Sequence, residues 1–206
     1  MKKLFFWALM AFCAYKFYQY LGAPGSIGAT EQGGKMTRLF VGPGCGAPCD
    51  EVKEILTSRK VSFEIIDVST PEGEGYGINQ YPLTVVGKRK VLGNNRHALI
   101  GALVETYGNE ALTAAERAAM AGHFDADGRP RVVLYGTSWC PYCKQQREYF
   151  SQHGVAYVNI DVEASAAGKA AYDTLQSNGY PLVYVGYQRF DGYREQEILD
   201  AIAESQ

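Results

Sequence analysis

Residues 131–143 read RVVLYGTSWCPYC, and two patterns in this stretch together predict a strand, a loop and a helix. The apolar run at 131–135 is typical of a short buried strand. Pro141 predicts the start of a helix. Proline has no amide hydrogen, and in the first helical turn such a hydrogen would have no partner within the helix. Cys140 and Cys143 therefore lie where a strand gives way to a helix, about one helical turn apart.

This junction favours redox chemistry at the two cysteines. The free N–H groups and the dipole of a helix N-terminus stabilise an anion, so we expect Cys140 to be largely thiolate. A thiolate attacks a disulfide sulfur, and Cys143 is placed to resolve the mixed disulfide that forms. We interpret the chain's histidines as solvent-exposed polar residues rather than metal ligands: His97, His123 and His153.

Metal binding is the alternative use of a CxxC pair. Zinc needs four ligands, and the sequence has neither a second CxxC nor an HxxxH pair, so we predict no metal at the site. An iron–sulfur cluster between subunits stays open, since thiolates are its natural ligands.

The chain carries a second copy of the same pattern. Residues 39–42 align with 133–136, and residues 81–87 align with 180–186. Three matching pairs are each 94 residues apart: Gly42 with Gly136, Cys49 with Cys143, and Asp67 with Asp161. Two ungapped blocks in the same order indicate a tandem duplication of about 75 residues.

The second copy predicts the element order βαβαββα. The first βαβ unit implies parallel pairing, and the closing hairpin adds antiparallel strands, so the fold class is α/β. The first copy follows the same order, with its middle helix shortened to a loop over residues 71–79.

The CPYC sequence and the repeated Tyr-Pro block resemble the glutaredoxin family of the thioredoxin-fold superfamily. The resemblance is strong over residues 131–204 and weaker over 37–107, which implies two tandem thioredoxin-like (glutaredoxin) domains. It also implies that Cys140 is the nucleophile and that Cys143 resolves. In this family a cis-proline faces the dithiol, and Pro181 occupies that place.

The resemblance implies a substrate groove as well. Tyr142 matches a tyrosine that lines the groove, Tyr180 and Pro181 present backbone to the substrate, and Gly192 matches a glycine of the glutathione site.

The match to a glutathione site is incomplete. Gly179-Tyr180 replaces the usual Thr-Val, Thr137 stands where a basic residue is expected, and residues 191–194 read DGYR. Lost contacts of this kind weaken recognition of glutathione's charged groups. The DGYR sequence is similar to glutaredoxin-like hydrogen donors that take electrons from thioredoxin reductase.

The first copy has a CxxxC pair, Cys45 and Cys49. The ungapped alignment places Gly46 opposite Cys140, whereas a one-residue insertion in the loop would place Cys45 there. One interpretation is a second redox pair that relays electrons. The other, which we favour, is a degenerate domain with a static disulfide or free thiols. A disulfide requires the two Cα atoms to lie within about 7 Å.

Residues 4–21 form an apolar segment of about 27 Å if helical, near the lower limit for spanning a bilayer. We predict an N-terminal membrane anchor; a cleaved signal peptide and an apolar helix packed on the soluble part are the alternatives. Lys2 and Lys3 favour a cytoplasmic N-terminus and a periplasmic or extracytoplasmic soluble part. Basic residues on the other side weaken this assignment, and a cytoplasmic location is the alternative.

The predicted organisation has five parts: an anchor or signal peptide at 1–21, a flexible linker at 22–36, a degenerate glutaredoxin-like domain at 37–108, a helical linker at 109–130 and a glutaredoxin domain at 131–206. Residues 113–116 have the form of a capping box within the helical linker. The net charge of −2 provides no basic field, so we expect no nucleic-acid partner.

These features predict a thiol–disulfide oxidoreductase that reduces disulfides or glutathionylated proteins by dithiol exchange through Cys140 and Cys143. No cofactor is expected to be bound, glutathione is the expected co-substrate, and glutathione or thioredoxin reductase would donate electrons. The alternatives are an exported disulfide oxidase or isomerase, and a non-catalytic tandem module for binding or assembly.

Overall fold

The computed structural model describes residues 36–205 of the chain. The predicted anchor at 1–21 and the predicted linker up to residue 35 lie outside the described residues. Among residues 36–205, no helix has the length and apolar character needed to cross a membrane. The chain divides into two compact units, one ending at Ala111 and the other beginning at Leu112.

The first unit is a four-stranded sheet with helices between and after its strands. Its elements are β1 (Thr37–Val41), α1 (Gly46–Ser58), β2 (Glu64–Asp67), α2 (Pro71–Glu74), β3 (Leu83–Val86), β4 (Arg89–Leu92) and α3 (Arg96–Tyr107), followed by a 3-10 turn at Gly108–Ala111. The strand order is β2-β1-β3-β4, with β1 parallel to β2 and antiparallel to β3. Fully buried leucines from β1, α1 and α3 form its core: Leu39, Leu56, Leu99 and Leu103.

Helix α2 corrects the prediction of a loop over residues 71–79. The Thr70 hydroxyl accepts a hydrogen bond from the Gly73 amide at 3.2 Å, and Pro71 opens the helix. A capping side chain and a proline at the first position are together enough to form one helical turn here.

The second unit repeats this architecture after a short helical connector. Its elements are α4 (Ala114–Ala119), a 3-10 turn (Ala121–His123), β5 (Val132–Gly136), α5 (Pro141–Gln152), β6 (Tyr157–Asp161), α6 (Ala166–Thr174), β7 (Leu182–Val185), β8 (Gln188–Asp191) and α7 (Gln196–Glu204). The sheet order is β6-β5-β7-β8, the same topology as in the first unit. Two sheets of this mixed parallel and antiparallel kind fit two thioredoxin-like domains.

Helices cover both faces of the second sheet. On one face, Phe150 of α5 and Ile198 and Ala201 of α7 pack with Val132 and Leu134 of β5. On the other face, α6 lies beside the connector helix α4. The predicted capping box at the start of α4 is present, with reciprocal hydrogen bonds between Thr113 and Glu116.

The connector also contains His123, and the prediction that this histidine is solvent-exposed is wrong. His123 is 0% exposed. Its Nδ1–H donates to the Gly186 carbonyl at 3.1 Å, so Nε2 accepts from the Tyr135 hydroxyl at 2.8 Å. Burial lowers the pKa of His123 to about 4. The neutral imidazole of His123 therefore joins the connector to the sheet through two hydrogen bonds. His153 is exposed, and His97 is half-buried.

Strand pairing decides between the two alignments of the cysteine loops. Val41 pairs with Asp67 in the first unit, and Gly136 pairs with Asp161 in the second. Val41, and not Gly42, is therefore the counterpart of Gly136, so the ungapped alignment of the first strand is wrong by one residue. The extra residue of the first unit follows Cys45, which becomes the counterpart of Cys140.

Candidate active site

Cys140 is the residue that caps the N-terminus of α5. Its Sγ accepts a hydrogen bond from the Cys143 amide at 3.1 Å, and Pro141 occupies the first turn. The helix runs for 12 residues beyond this cap. The Cys140 sulfur thus lies against the amides of the first helical turn, which have no partner within the helix. The positive end of the helix dipole also lies there, and both stabilise negative charge.

Cys143 differs from Cys140 in its surroundings. Its side chain is 0% exposed, and that of Cys140 is 4% exposed. Burial first, and the hydrogen bond to Cys140 second, raise the pKa of the Cys143 thiol to about 12, although the Thr137 amide and Arg147 act in the opposite direction. Cys143 therefore holds its proton at neutral pH while Cys140 faces the anion-stabilising end of the helix.

Gly136 at the end of β5 makes room for the buried sulfur. A Cβ added to Gly136 would lie 2.7 Å from the Sγ of Cys143, closer than non-bonded heavy atoms approach. Any larger residue would displace the thiol or the helix, so Gly136 is part of the site's construction.

Exposed aromatic rings flank the dithiol. Trp139 is 64% exposed and Tyr142 is 58% exposed. The indole N–H of Trp139 lies 3.0 Å from both carboxylate oxygens of Glu163, which fixes the ring outward. The edge of this ring meets Tyr180, with 6.2 Å between the centroids. These rings provide an apolar surface beside Cys140 on which a polypeptide can lie.

The loop before β7 completes this side of the site. The Tyr180–Pro181 peptide bond is cis, and Pro181 is buried. The Gly192 amide donates to the Pro181 carbonyl at 2.8 Å, so the two predicted binding segments lie side by side. Gly192 has a φ of +75°, a conformation that favours glycine. The ring of Tyr172 from α6 supports Tyr180, with 5.0 Å between their centroids.

The acidic residue next to Gly192 is already engaged. Asp191 accepts two hydrogen bonds from the guanidinium of Arg189, each at 2.8 Å. Arg189 also donates to the Leu175 carbonyl at 2.8 Å. The Gln146 side chain of α5, which is fully buried, accepts from the Arg194 amide at 3.0 Å. The loop at 191–194 is therefore tied both to its own strand and to the active-site helix.

The structure brings together six of the residues predicted for the site, on the end of one sheet and the start of one helix: Cys140, Cys143, Tyr142, Tyr180, Pro181 and Gly192. Sequence reasoning missed Gly136, Glu163, Tyr172 and Gln146 as residues that shape the site. The repeat did mark Gly136, but the shifted alignment matched it with Gly42. Nothing in the sequence singled out the other three.

The first unit contains the other predicted pair, Cys45 and Cys49. The two residues form a disulfide, with Cα atoms 5.6 Å apart, within the distance that a disulfide requires. Cys45 caps α1 as Cys140 caps α5, but without a hydrogen bond to its side chain. In residues 36–205, no group of three or more His, Cys, Asp or Glu side chains could hold a metal ion.

Comparison with known proteins finds matches to the second unit. The family model described as Glutaredoxin matches residues 132–190. The glutaredoxin of Pseudomonas aeruginosa is 29% identical over 77 residues, which cover 34% of this chain and 86% of that protein.

Among solved structures, the glutaredoxin from Archaeoglobus fulgidus is 27% identical with a TM-score of 0.33, covering 37% of this chain and 89% of that one. A protein disulfide oxidoreductase from Aeropyrum pernix is 14% identical with a TM-score of 0.31, covering 81% of this chain and 83% of that one. Residues 132–190 thus match the glutaredoxin family, whose members are thiol–disulfide oxidoreductases.

Proposed function

We propose that this protein reduces disulfides or glutathionylated proteins by dithiol exchange, with Cys140 as the nucleophile and Cys143 as the resolving thiol. The observation that carries the proposal is the asymmetry of the pair. The Sγ of Cys140 accepts the Cys143 amide at a helix N-terminus, at 3.1 Å, whereas burial raises the pKa of Cys143 to about 12. The Cys140 sulfur is thus suited to attack, and Cys143 is suited to remain a thiol until the resolving step.

The reaction has two exchange steps. The Cys140 thiolate attacks one sulfur of the substrate disulfide, a mixed disulfide forms, and the other substrate sulfur leaves and takes a proton. Cys143 then loses its proton and attacks the Sγ of Cys140, which releases the reduced substrate. The enzyme pair is now a disulfide, and two thiols of the electron donor reduce it again.

The surroundings of the dithiol favour a polypeptide substrate. Trp139, Tyr142 and Tyr180 provide an apolar surface, and aromatic rings of this kind bury much area at low entropic cost. Pro181 and Gly192, joined through their backbones, form the wall where the backbone of a bound substrate would lie. Glutathione is the proposed co-substrate at this wall.

The pairing of Asp191 with Arg189 weakens the case for glutathione as the electron donor, because Arg189 competes with the amino group of glutathione for the Asp191 carboxylate. Thioredoxin reductase is the alternative donor. Turnover of one disulfide substrate with glutathione and glutathione reductase, measured beside turnover with thioredoxin reductase, distinguishes them. Activity with thioredoxin reductase alone would remove glutathione from the proposal.

Serine substitutions test the roles of the two cysteines. Cys140→Ser should abolish reduction of protein disulfides and of glutathionylated proteins. Cys143→Ser should accumulate mixed disulfides with protein substrates, detectable on non-reducing gels, and retain reduction of glutathionylated substrates. Cys13→Ser, which changes a cysteine outside both pairs, is the matched control and should leave turnover unchanged. Equal turnover in Cys140→Ser and the unsubstituted protein would contradict the assignment.

We further propose that residues 4–21 attach the protein to a membrane and that the two units face outward, with a cytoplasmic location as the alternative. The support is the apolar segment and its basic flank at Lys2 and Lys3. Membrane fractionation tests attachment. Thiol trapping in cells tests the side: a largely oxidised Cys140–Cys143 pair would indicate an exported oxidase or isomerase, and a reduced pair a reductase.

A further inference from the structure

The Cys45–Cys49 disulfide occupies the place in the first unit that the dithiol occupies in the second. Cys45 caps α1 and follows the end of β1 by the same number of residues as Cys140 follows β5. Cys49, like Cys143, is buried against its own sheet, with 3% of its surface exposed. The Cys45–Cys49 pair therefore lies at the strand-to-helix junction of its unit, which is the position of the dithiol in the second unit.

The additional residue of the CxxxC pair is accommodated by glycine. Gly46 has a φ of +49° and Gly44 a φ of +74°, conformations that side chains disfavour. With this local change, Cys45 still reaches the cap position and the helix still buries Cys49. The longer spacing thus keeps the arrangement in which the outer sulfur, of Cys45, is at the start of the helix and the inner sulfur, of Cys49, is buried beneath it.

The two sulfurs differ in access. Cys45 is half-buried and sits between exposed residues on both sides, from Pro43 to Pro48. Cys49 is closed off by its helix and sheet. An incoming thiolate can reach Cys45, and the electrons of the broken bond would then pass to Cys49.

Tyr81 packs on the two residues that follow β1, close in sequence to Cys45. Its ring lies over Gly42 so closely that an added Cβ on that glycine would be 2.5 Å from the ring, and its hydroxyl donates to the Pro43 carbonyl at 3.1 Å. In the second unit the strand register places Thr137 at this position, and the matching Tyr180 packs instead against Trp139. The ring of Tyr81 therefore lies on the residues just before Cys45, whereas the matching ring of the second unit contacts Trp139.

We propose that Cys45 and Cys49 form a second redox couple, which reacts with small thiols and from which Tyr81 excludes polypeptides. A small thiolate attacks the Sγ of Cys45, the disulfide bond breaks, and the Cys49 sulfur leaves and takes a proton. A second small thiolate attacks the small-thiol sulfur of the mixed disulfide and releases Cys45. The protein disulfide gains two electrons, and two small thiols become one disulfide.

A redox titration of the full chain tests the couple. Cys140→Ser with Cys143→Ser removes the other pair, so a failure here leaves the proposed function untouched. After equilibration in buffers of reduced and oxidised glutathione, alkylation and mass spectrometry give the fraction of Cys45 and Cys49 in the thiol form. We expect one reversible transition in the native protein. A disulfide that stays closed in excess reduced glutathione until the protein is denatured would overturn the proposal.

Single substitutions in the same background identify the reacting sulfur. With Cys49→Ser, the remaining Cys45 should react with oxidised glutathione at least about tenfold faster than Cys49 does in the Cys45→Ser variant, because thiol exchange requires access. Equal rates would contradict the assignment of Cys45 as the outer sulfur.

Two substitutions of Tyr81 test its role. Tyr81→Ala should speed reduction of the disulfide by reduced thioredoxin by about tenfold or more, and change reduction by dithiothreitol by less than about twofold, because only a polypeptide needs the covered surface. Tyr81→Phe retains the ring and should resemble the unsubstituted protein. Equal acceleration with both reductants, or none with thioredoxin, would overturn the exclusion.

Discussion

At the scale of single residues, the proposed mechanism gives two different tasks to two chemically identical side chains. The Cys140 sulfur lies at the helix N-terminus and the Cys143 sulfur faces the core. In the proposed mechanism, this difference in position alone distinguishes the nucleophile from the resolving thiol. Gly136 maintains the difference, because its missing side chain is the space that the Cys143 sulfur occupies.

Substitution of this glycine should therefore affect both chemistry and stability. In Gly136→Ala, the new methyl group would lie 2.7 Å from the Cys143 sulfur, and relief of that overlap should cost about 1–3 kcal/mol in the free energy of unfolding. Displacement of Cys143 should also slow resolution, so mixed disulfides should accumulate. Denaturant unfolding and gel analysis of trapped complexes measure the two effects.

Gly122→Ala is the control for this substitution. No heavy atom lies within 4 Å of a Cβ added to Gly122, which belongs to the same unit. If Gly136→Ala matched the control in both stability and resolution, the steric role of Gly136 would be wrong.

At the scale of elements, the sequence is informative where structure is set locally. The strand, loop and helix around Cys140 follow from a short apolar run and one proline, and the capping box at Thr113 follows from residue spacing. The register of β1 cannot be predicted from the sequence in this way, because Leu39 and Phe40 are both buried and lie on opposite faces of the sheet. A strand that is apolar on both faces carries no alternation from which to read a one-residue shift.

The prediction that His123 is exposed is wrong for a different reason from the shift in β1. Its neighbours in sequence are polar and glycine-containing, which is typical of a turn, whereas its partners Tyr135 and Gly186 come from two strands. Only the assembled sheet supplies the bonds that let a histidine be buried.

The buried histidine makes the connector sensitive to acid. The pKa of His123 is about 4 in the folded unit, against an ordinary value of 6.5, so the unfolded chain binds the proton more readily. Stability should be unaffected above pH 6.5 and fall progressively between pH 6.5 and pH 4, by roughly 3 kcal/mol in total. Denaturant unfolding of the full chain across this range measures the slope.

Two variants separate this histidine from the other titrating groups. His123→Gln removes the titration and should flatten the slope, although it also lowers stability at every pH. His153→Gln, at an exposed histidine, should leave the slope as it is. An unchanged slope in His123→Gln would assign the acid sensitivity elsewhere.

At the scale of the whole molecule, the two units share one architecture and differ in the oxidation state of their cysteine pairs. Each unit has its own sheet and its own buried core, and each places two cysteines at the start of its first long helix. The dithiol in one and the disulfide in the other therefore belong to separate folding units. Each can be altered by substitution without removing the core that supports its counterpart.

The extent of the second unit leads to the last prediction. The sequence predicts a glutaredoxin domain that begins at residue 131, yet Leu112, Met120 and His123 of the preceding connector are each at least nine-tenths buried. A fragment of residues 112–206 should therefore unfold in one cooperative transition and retain the exchange activity of Cys140. A fragment of residues 131–206 lacks these side chains and leaves Tyr135 without its histidine partner. It should be less stable by about 3 kcal/mol or more, because several buried groups are lost together. Thermal and denaturant unfolding of both fragments measure the difference, and equal stability would mean that the connector is not part of the folding unit.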